Sequence, residues 1–214
     1  YKRIDNMDKD LKEMFREKNK MIIISNLKYD LEKNINSLLD TITNIFNLEF
    51  DTAIKNIISI HEDSGIYHSD KFITQTINDM KIKSYSQIDK YLQLKKQTLE
   101  EKIDHLEFEE SSLNHYYEQV FQTTKNFKEQ MHENSVISIK EQGIELLNQY
   151  ILENVDDDKE KLAISRVNDY LENRLYGKLE TKIHMEIMLR DNNLINKAKE
   201  SYLRFQDISS RTSN

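Results

Sequence analysis

The chain has 214 residues, with 31 Lys and Arg against 38 Asp and Glu, a formal net charge of −7, three Gly and no Pro, Cys or Trp. Without Cys it forms no disulfide, zinc–thiolate site or thiol nucleophile, and its three dispersed Gly exclude a Walker loop and a dinucleotide-binding glycine turn. The length is sufficient for one sizeable hydrophobic core.

The N-terminal part of the sequence predicts one long helix over residues 2–48. Its apolar residues recur three or four positions apart, which places them along one face of a helix. They are Ile4, Met7, Leu11, Met14, Met21, Ile24, Leu27, Leu31, Ile35, Leu38, Ile42 and Ile45. We expect this single stripe to be weakest at residues 18–20, where the pattern is polar.

Two short helices are predicted over residues 51–83. Asp51 is placed to cap the first of them, which has Ile at four of its positions. Residues 62–70 contain Gly65, Ser and Asp and therefore predict a loop. The second short helix follows over residues 71–83.

Residues 84–134 carry the most regular pattern in the chain. Ser84 and Gln87 have the spacing of a capping box, and an apolar residue then recurs every seven positions. These residues, the heptad seam, are Tyr85, Leu92, Leu99, Leu106, Leu113, Val120 and Phe127. Because an α-helix has 3.6 residues per turn, the repeat predicts a coiled-coil-like helix of about 48 residues that packs on a partner helix. We expect the seam to be an interaction surface, within one chain or between two chains.

The remaining sequence predicts helices over residues 135–154 and 157–208. Asp157 and Glu160 form a second capping box, and an interruption is expected at residues 191–193. No alternating apolar run bounded by turn residues indicates a strand. The sequence therefore predicts an all-α, elongated helical bundle in which residues 1–214 form a single domain.

Groups that could bind a metal are sparse. Glu129 and His132 have the Glu-x-x-His spacing of helical di-metal sites, and the matching ligands on a second helix are missing. His61 and His68 bracket the loop around Gly65, where nearby acids could add oxygen ligands, but a polar turn is the simpler interpretation. We predict no metal and no cofactor.

Catalytic groups are equally sparse in the sequence. Ser111 and Ser112 lie one helical turn from His115, with no strained turn or oxyanion donor beside them. The many carboxylate pairs occupy no recognisable pocket. We therefore predict that the chain is not an enzyme and has no catalytic residue.

Charge is distributed unevenly along the predicted long helix. Residues 81–96 contain five Lys and one Asp, whereas residues 100–118 contain seven acids and one Lys. A basic start followed by an acidic middle can set the orientation of a partner helix. The overall negative charge makes nucleic acid an improbable partner.

These patterns predict a non-enzymatic helical protein-binding or scaffold domain, whose partner is another protein or a second copy in a homodimer. Because the first residue is Tyr1, we expect a processed or excised part of a longer surface-exposed or membrane-tethered protein. No apolar run here approaches the roughly 20 residues of a transmembrane helix. The compartment stays open, since both the cell surface and the cytoplasm are compatible with the composition.

Two other functions stay open at this stage. The long helices resemble in outline the stalks of dynamin-like membrane-remodelling GTPases, which implies an assembly region of a larger mechanical protein. A helical ligand- or metal-binding domain is the other alternative, with a pocket expected around His105, His115 and Tyr116.

Overall fold

The computed structural model describes the backbone of residues 2–213 and the side chains of residue 3 and residues 5–210. The predicted all-α bundle is confirmed, because 93% of the described residues are helical and none of them lies in a strand. The elements in chain order are α1 (Lys2–Asp63), α2 (Asp70–Asp104), α3 (Glu110–Met131), α4 (Asn134–Asn154), α5 (Asp157–Asp169), a π-helical segment (Tyr170–Tyr176) and α6 (Gly177–Ser213).

These helices build two compact units. Unit 1 contains residues up to 37, residues 93–124 and residues from 188 onward, and unit 2 contains residues 38–92 and 125–187. Four helices, α1, α2, α3 and α6, contribute a segment to each unit.

Unit 1 is a set of four helical segments, in which α2 runs antiparallel to α1 and α3, and α3 runs antiparallel to α6. The contacts that fix these directions join Lys28 to Asp104, Glu32 to Lys96, Lys102 to His115, Tyr117 to Lys199 and Thr124 to Asp191. Its core consists of buried apolar side chains from all four segments. Among them are Leu27, Leu31, Leu99, Ile103, Leu113, Tyr116, Val120, Leu194, Ala198 and Phe205.

Unit 2 packs the rest of α1 and α2 against α4, α5 and the first part of α6. Its core is one continuous cluster of buried apolar residues, which includes Phe46, Phe50, Ile77, Leu92, Phe127, Leu147 and Leu179. Helix α4 lies close to α2 at Gly143, which packs against the Met80 thioether. A side chain at position 143 would have to displace the end of the Met80 side chain.

Helix α1 is longer than the sequence predicted, because the expected break before Asp51 does not occur. The apolar face continues across that point through Phe46, Phe50 and Ala53, all buried, and the rings of Phe46 and Phe50 stack at 5.4 Å. Asp51 is exposed in the middle of a helix and caps nothing. The predicted loop after α1 is confirmed, with Gly65 at a positive φ of 85°.

The prediction of one helix over residues 84–134 is wrong in its bounds, because α2 starts at Asp70 and the chain turns at residues 105–109. Ser84 is not a cap: it is buried within α2, and its hydroxyl shares a 2.9 Å hydrogen bond with that of Tyr176. In the turn, the Phe108 ring stacks on Phe205 at 4.7 Å. The turn buries Leu106 and Phe108 in the core of unit 1, which a continuous helix would not do for two residues two positions apart.

The C-terminal part follows the sequence prediction more closely. Helix α4 begins at Asn134 and α5 begins at Asp157, but no interruption occurs at residues 191–193, and α6 continues to Ser213. Within that stretch Asp191 is buried, and Asp191 and Asn193 each bind a residue of another helix. The π-helical segment was not predicted; its wider turns bury Leu171, Leu175 and Tyr176 together.

None of the helices in the described part of the chain contains an apolar stretch of the length that a membrane crossing needs.

Candidate interaction surface

The first third of α1 presents an apolar face to solvent. The sequence predicted one apolar stripe along this helix, and that prediction is wrong, because the stripe before residue 23 lies on a different face from the buried one that follows. Six large apolar side chains, the outer stripe, are between 50% and 69% exposed: Met7, Leu11, Met14, Phe15, Met21 and Ile22. Ile4, which the sequence placed in the same stripe, lies outside the described side chains.

The core-facing stripe of α1 begins only at Ile23 and continues through Leu27 and Leu31, which are at most 5% exposed. On a helix with 3.6 residues per turn, Met7 and Leu27 lie on roughly opposite sides of the axis. The helix therefore carries two apolar stripes on different faces, and unit 1 covers only one of them.

The opposite, polar side of the same segment is attached to unit 1. Lys20 donates a 2.7 Å hydrogen bond to Glu107, and this ion pair lowers the pKa of the Glu107 carboxyl. The Arg16 guanidinium lies 5.7 Å from the centre of the Phe205 ring. These contacts hold the segment so that the outer stripe faces away from the unit 1 core.

The heptad seam, unlike the outer stripe, is buried. The chain itself buries six of its seven residues to 4% exposure or less, and only Tyr85 is half-buried. Leu99, Leu106, Leu113 and Val120 lie in unit 1, whereas Tyr85, Leu92 and Phe127 lie in unit 2. The seam therefore supplies the cores of this chain and is not open to a second one.

Unit 1 also encloses a polar cluster that the sequence analysis missed. Asp191 is 5% exposed and accepts a hydrogen bond from the Thr124 hydroxyl, and burial raises its pKa from 3.8 to about 7. Burial and the charge of Asp191 raise the pKa of Tyr116. The amide of Asn193 donates a 2.9 Å hydrogen bond to Asn34, also buried. These pairs favour one register of α6 against α1 and α3.

In unit 2, His61 is fully buried near the end of α1. Neither ring nitrogen has a hydrogen-bond partner, and the imidazole stacks on Tyr150 at 5.9 Å, which in turn stacks on Phe72 at 4.7 Å. Burial lowers the pKa of His61 from 6.5 to about 4. The ring is therefore neutral and serves as an aromatic core residue at physiological pH.

This burial makes the stability of unit 2 dependent on pH. The unfolded chain binds a proton at His61 below pH 6.5 and the folded chain does not until about pH 4, so stability falls as the pH decreases through this window. We expect the free energy of unfolding to fall by about 2 kcal/mol between pH 8 and pH 5 through this group. The free energy of unfolding of His61→Phe in urea should therefore rise by about 2 kcal/mol relative to that of the unmodified chain between pH 8 and pH 5.

His105→Leu is the matched control, because His105 is exposed in the α2–α3 turn. Its unfolding should follow the pH dependence of the unmodified chain. An unchanged dependence in His61→Phe would contradict the assignment.

The structure does not assemble the other predicted ligand groups. His105 and His115 are exposed, and His115 shares a 3.1 Å hydrogen bond with Lys102, whereas Tyr116 points into the core. His132 lies 3.6 Å from Glu180. Among the described residues, no group of three or more His, Asp and Glu side chains is placed to hold a metal ion.

A second open surface lies in unit 2, where α2 and α4 form a groove of about 530 Å³. Its lining is mixed, with Ile82 and Leu146 beside Gln75, Asp79 and Lys83. The outer stripe is more uniformly apolar and more exposed, and it is the stronger candidate.

One sequence signal could have identified the outer stripe. Met7 and Met14 are in phase with Met21, but Ile23 and Leu27 are about half a turn out of phase with them. Tracking that phase along α1 would have separated two stripes. No protein-family description, curated protein or solved structure matches this chain in the comparisons with known proteins.

Proposed function

We propose that the chain is a non-enzymatic, protein-binding helical module and that the outer stripe is its binding surface. The observation that carries this proposal is the presence of six large apolar side chains, each half or more exposed, on one face of α1. At about 100 Å² each, they present on the order of 600 Å² of apolar surface, the upper end of what monomeric proteins expose.

The surroundings of the stripe support the same proposal. Charged side chains border it, including Asp8, Asp10 and Glu17, all exposed. An apolar centre with a polar rim is typical of protein–protein interfaces. Methionine, which supplies three of the six residues, adapts its shape to a partner surface.

Site-specific photo-crosslinking in the native cells tests this function. A photoreactive phenylalanine analogue at Leu11 should form an adduct with one defined protein, identified by mass spectrometry. The same analogue at Lys9, which lies on the opposite face of α1, is the matched control and should form none. Adding Met14→Glu should abolish the Leu11 adduct, because a carboxylate in an apolar interface is costly.

The outcome does not depend on which protein is captured. An adduct between two copies of this chain or with a different protein supports the function, provided that it forms at Leu11 and not at Lys9. Equal labelling from both positions, or none from either, would overturn it.

A further inference from the structure

We propose that the protein that binds the outer stripe is a second copy of this chain, with the two α1 segments antiparallel and Leu11 of each copy against Met14 of the other. This inference rests on the proposed function and adds the identity, direction and register of the partner.

The spacing of the stripe is that of a two-helix seam. Met7, Leu11, Met14, Lys18 and Met21 follow one another at intervals of four, three, four and three residues. This is the a and d pattern of a heptad repeat, which packs against a second helix. Leu11 and Lys18 occupy a positions, and Met7, Met14 and Met21 occupy d positions. Phe15 and Ile22 each follow a d position and widen the apolar side.

The one charged residue in this seam, Lys18, indicates the direction of the partner. In a parallel pair of copies, equivalent positions meet, and the two Lys18 ammonium groups would face one another. In an antiparallel pair, an a position meets a d position. With Leu11 opposite Met14, the same register places Lys18 opposite Met7 and the two Lys18 side chains far apart.

Charge complementarity supports the same register. Asp8 and Asp10 are exposed and flank Met7 on the surface of the helix. Viewed down the helix axis, Asp8 lies about 100° from Met7 on one side, and Asp10 lies about 60° from it on the other. Lys18 of the partner would therefore lie between two carboxylates. Asp8 contacts Lys12 at 3.7 Å within its own helix, and both side chains are about half exposed or more, so this contact is weak and exchangeable.

The available area fits a dimer of moderate affinity. Two copies of the stripe bury on the order of 1,200 Å² together, at the lower end of the range for specific interfaces. The interface is isologous, because each copy contributes the same residues in the same roles, and it closes at two copies.

The first test is the mass of the full chain by analytical ultracentrifugation between about 1 and 100 μM, a range in which interfaces of this size dissociate. We expect a concentration-dependent change from 25.6 kDa to twice that mass. Lys18→Asp should weaken association at least tenfold, because it places a third acid beside Asp8 and Asp10. The same loss is expected for Asp8→Lys with Asp10→Lys, and combining all three substitutions should restore the dimer.

The direction is tested with introduced cysteines, since the chain has none of its own. Leu11→Cys and Met14→Cys are made in separate chains, because two cysteines three residues apart on one helix could also join within one chain. When the two variants are mixed and oxidised with diamide, the disulfide should join position 11 of one chain to position 14 of the other, and mass spectrometry identifies this dimer because the two variants differ in mass. Disulfides that instead join 11 with 11 and 14 with 14 would overturn the antiparallel arrangement.

The variants change exposed side chains only, so circular dichroism and the thermal midpoint should match those of the unmodified chain. A mass of 25.6 kDa at every concentration would overturn this inference. The proposed function is decided separately, because an adduct of Leu11 with a different protein would uphold the function while rejecting the second copy.

Discussion

Leu106→Asp is expected to destabilise unit 1 by about 4 kcal/mol or more, enough to unfold it if the net stability is typical of a domain. Leu106 is 2% exposed in the α2–α3 turn, beside the buried residues Ile103 and Phe108. The substitution removes a buried isobutyl group and forces a carboxylate either to stay buried or to pull the turn open. Urea unfolding followed by circular dichroism measures the loss.

The matched control is Leu94→Asp, the same exchange on α2 at a position that is 57% exposed. We expect it to change the free energy of unfolding by no more than about 0.5 kcal/mol. Hydrogen exchange should show loss of protection at residues 93–124 in Leu106→Asp and not in Leu94→Asp. A folded, protected Leu106→Asp chain with an altered mass would instead mean that the heptad seam joins two chains.

The heptad seam shows what apolar spacing can and cannot predict. The repeat correctly selected side chains that need burial, since six of the seven are buried. The repeat could not show the break at residues 105–109. Two successive helices that pack on the same core can have the same apolar spacing as one continuous helix. The local signal was the alternation of Leu106 and Phe108, two positions apart and both buried, which does not fit a helix.

The outer stripe was missed for a related reason. Periodicity shows that a face is apolar but not which element covers it, so Met7 and Leu27 were assigned to one stripe although only Leu27 is buried. The fold class was predictable because it depends on the summed pattern of the whole chain. The binding surface depends on which of two apolar faces stays uncovered, and this is decided by tertiary packing.

Polar residues that bind across helices could not be recognised from the sequence either. Asp191 and Asn193 were interpreted as helix breakers, since Asp and Asn are common at helix ends. In the structure both lie within α6 and bind Thr124 and Asn34 in unit 1. The role of such a residue depends on the partner that it binds, and here each partner is more than 60 residues away in sequence.

Asp191→Asn is expected to stabilise the chain by about 4 kcal/mol at pH 8 and to have little effect at pH 4. The folded carboxyl has its pKa raised to about 7, whereas the unfolded one ionises near 3.8. The folded chain therefore retains a proton that the unfolded chain has lost, and stability decreases as the pH rises from 3.8 through about 7. Asparagine keeps an oxygen to accept the Thr124 hydrogen bond and never ionises.

Urea unfolding at both pH values measures the difference in the free energy of unfolding between the variant and the unmodified chain. The His61 contribution is the same in both chains and cancels. Glu200→Gln is the control, a similar exchange at an exposed position of α6, and it should show no such pH-dependent gain. Thr124→Val tests the partner of Asp191. It removes the hydroxyl that stabilises the ionised Asp191 carboxylate, so the free energy of unfolding should fall more at pH 8 than at pH 4.

His61 and Asp191 change the free energy of unfolding with pH in opposite directions, and mutation separates the two contributions. His61 lowers the stability as the pH falls from 6.5 towards 4, whereas Asp191 lowers it as the pH rises from 3.8 towards 7. The unmodified chain should therefore show a flatter pH profile than either single variant, with His61→Phe losing stability towards pH 8 and Asp191→Asn losing it towards pH 5. If Asp191→Asn has the same effect at pH 4 and pH 8, then burial does not penalise this carboxylate, and the polar cluster of unit 1 holds a charge.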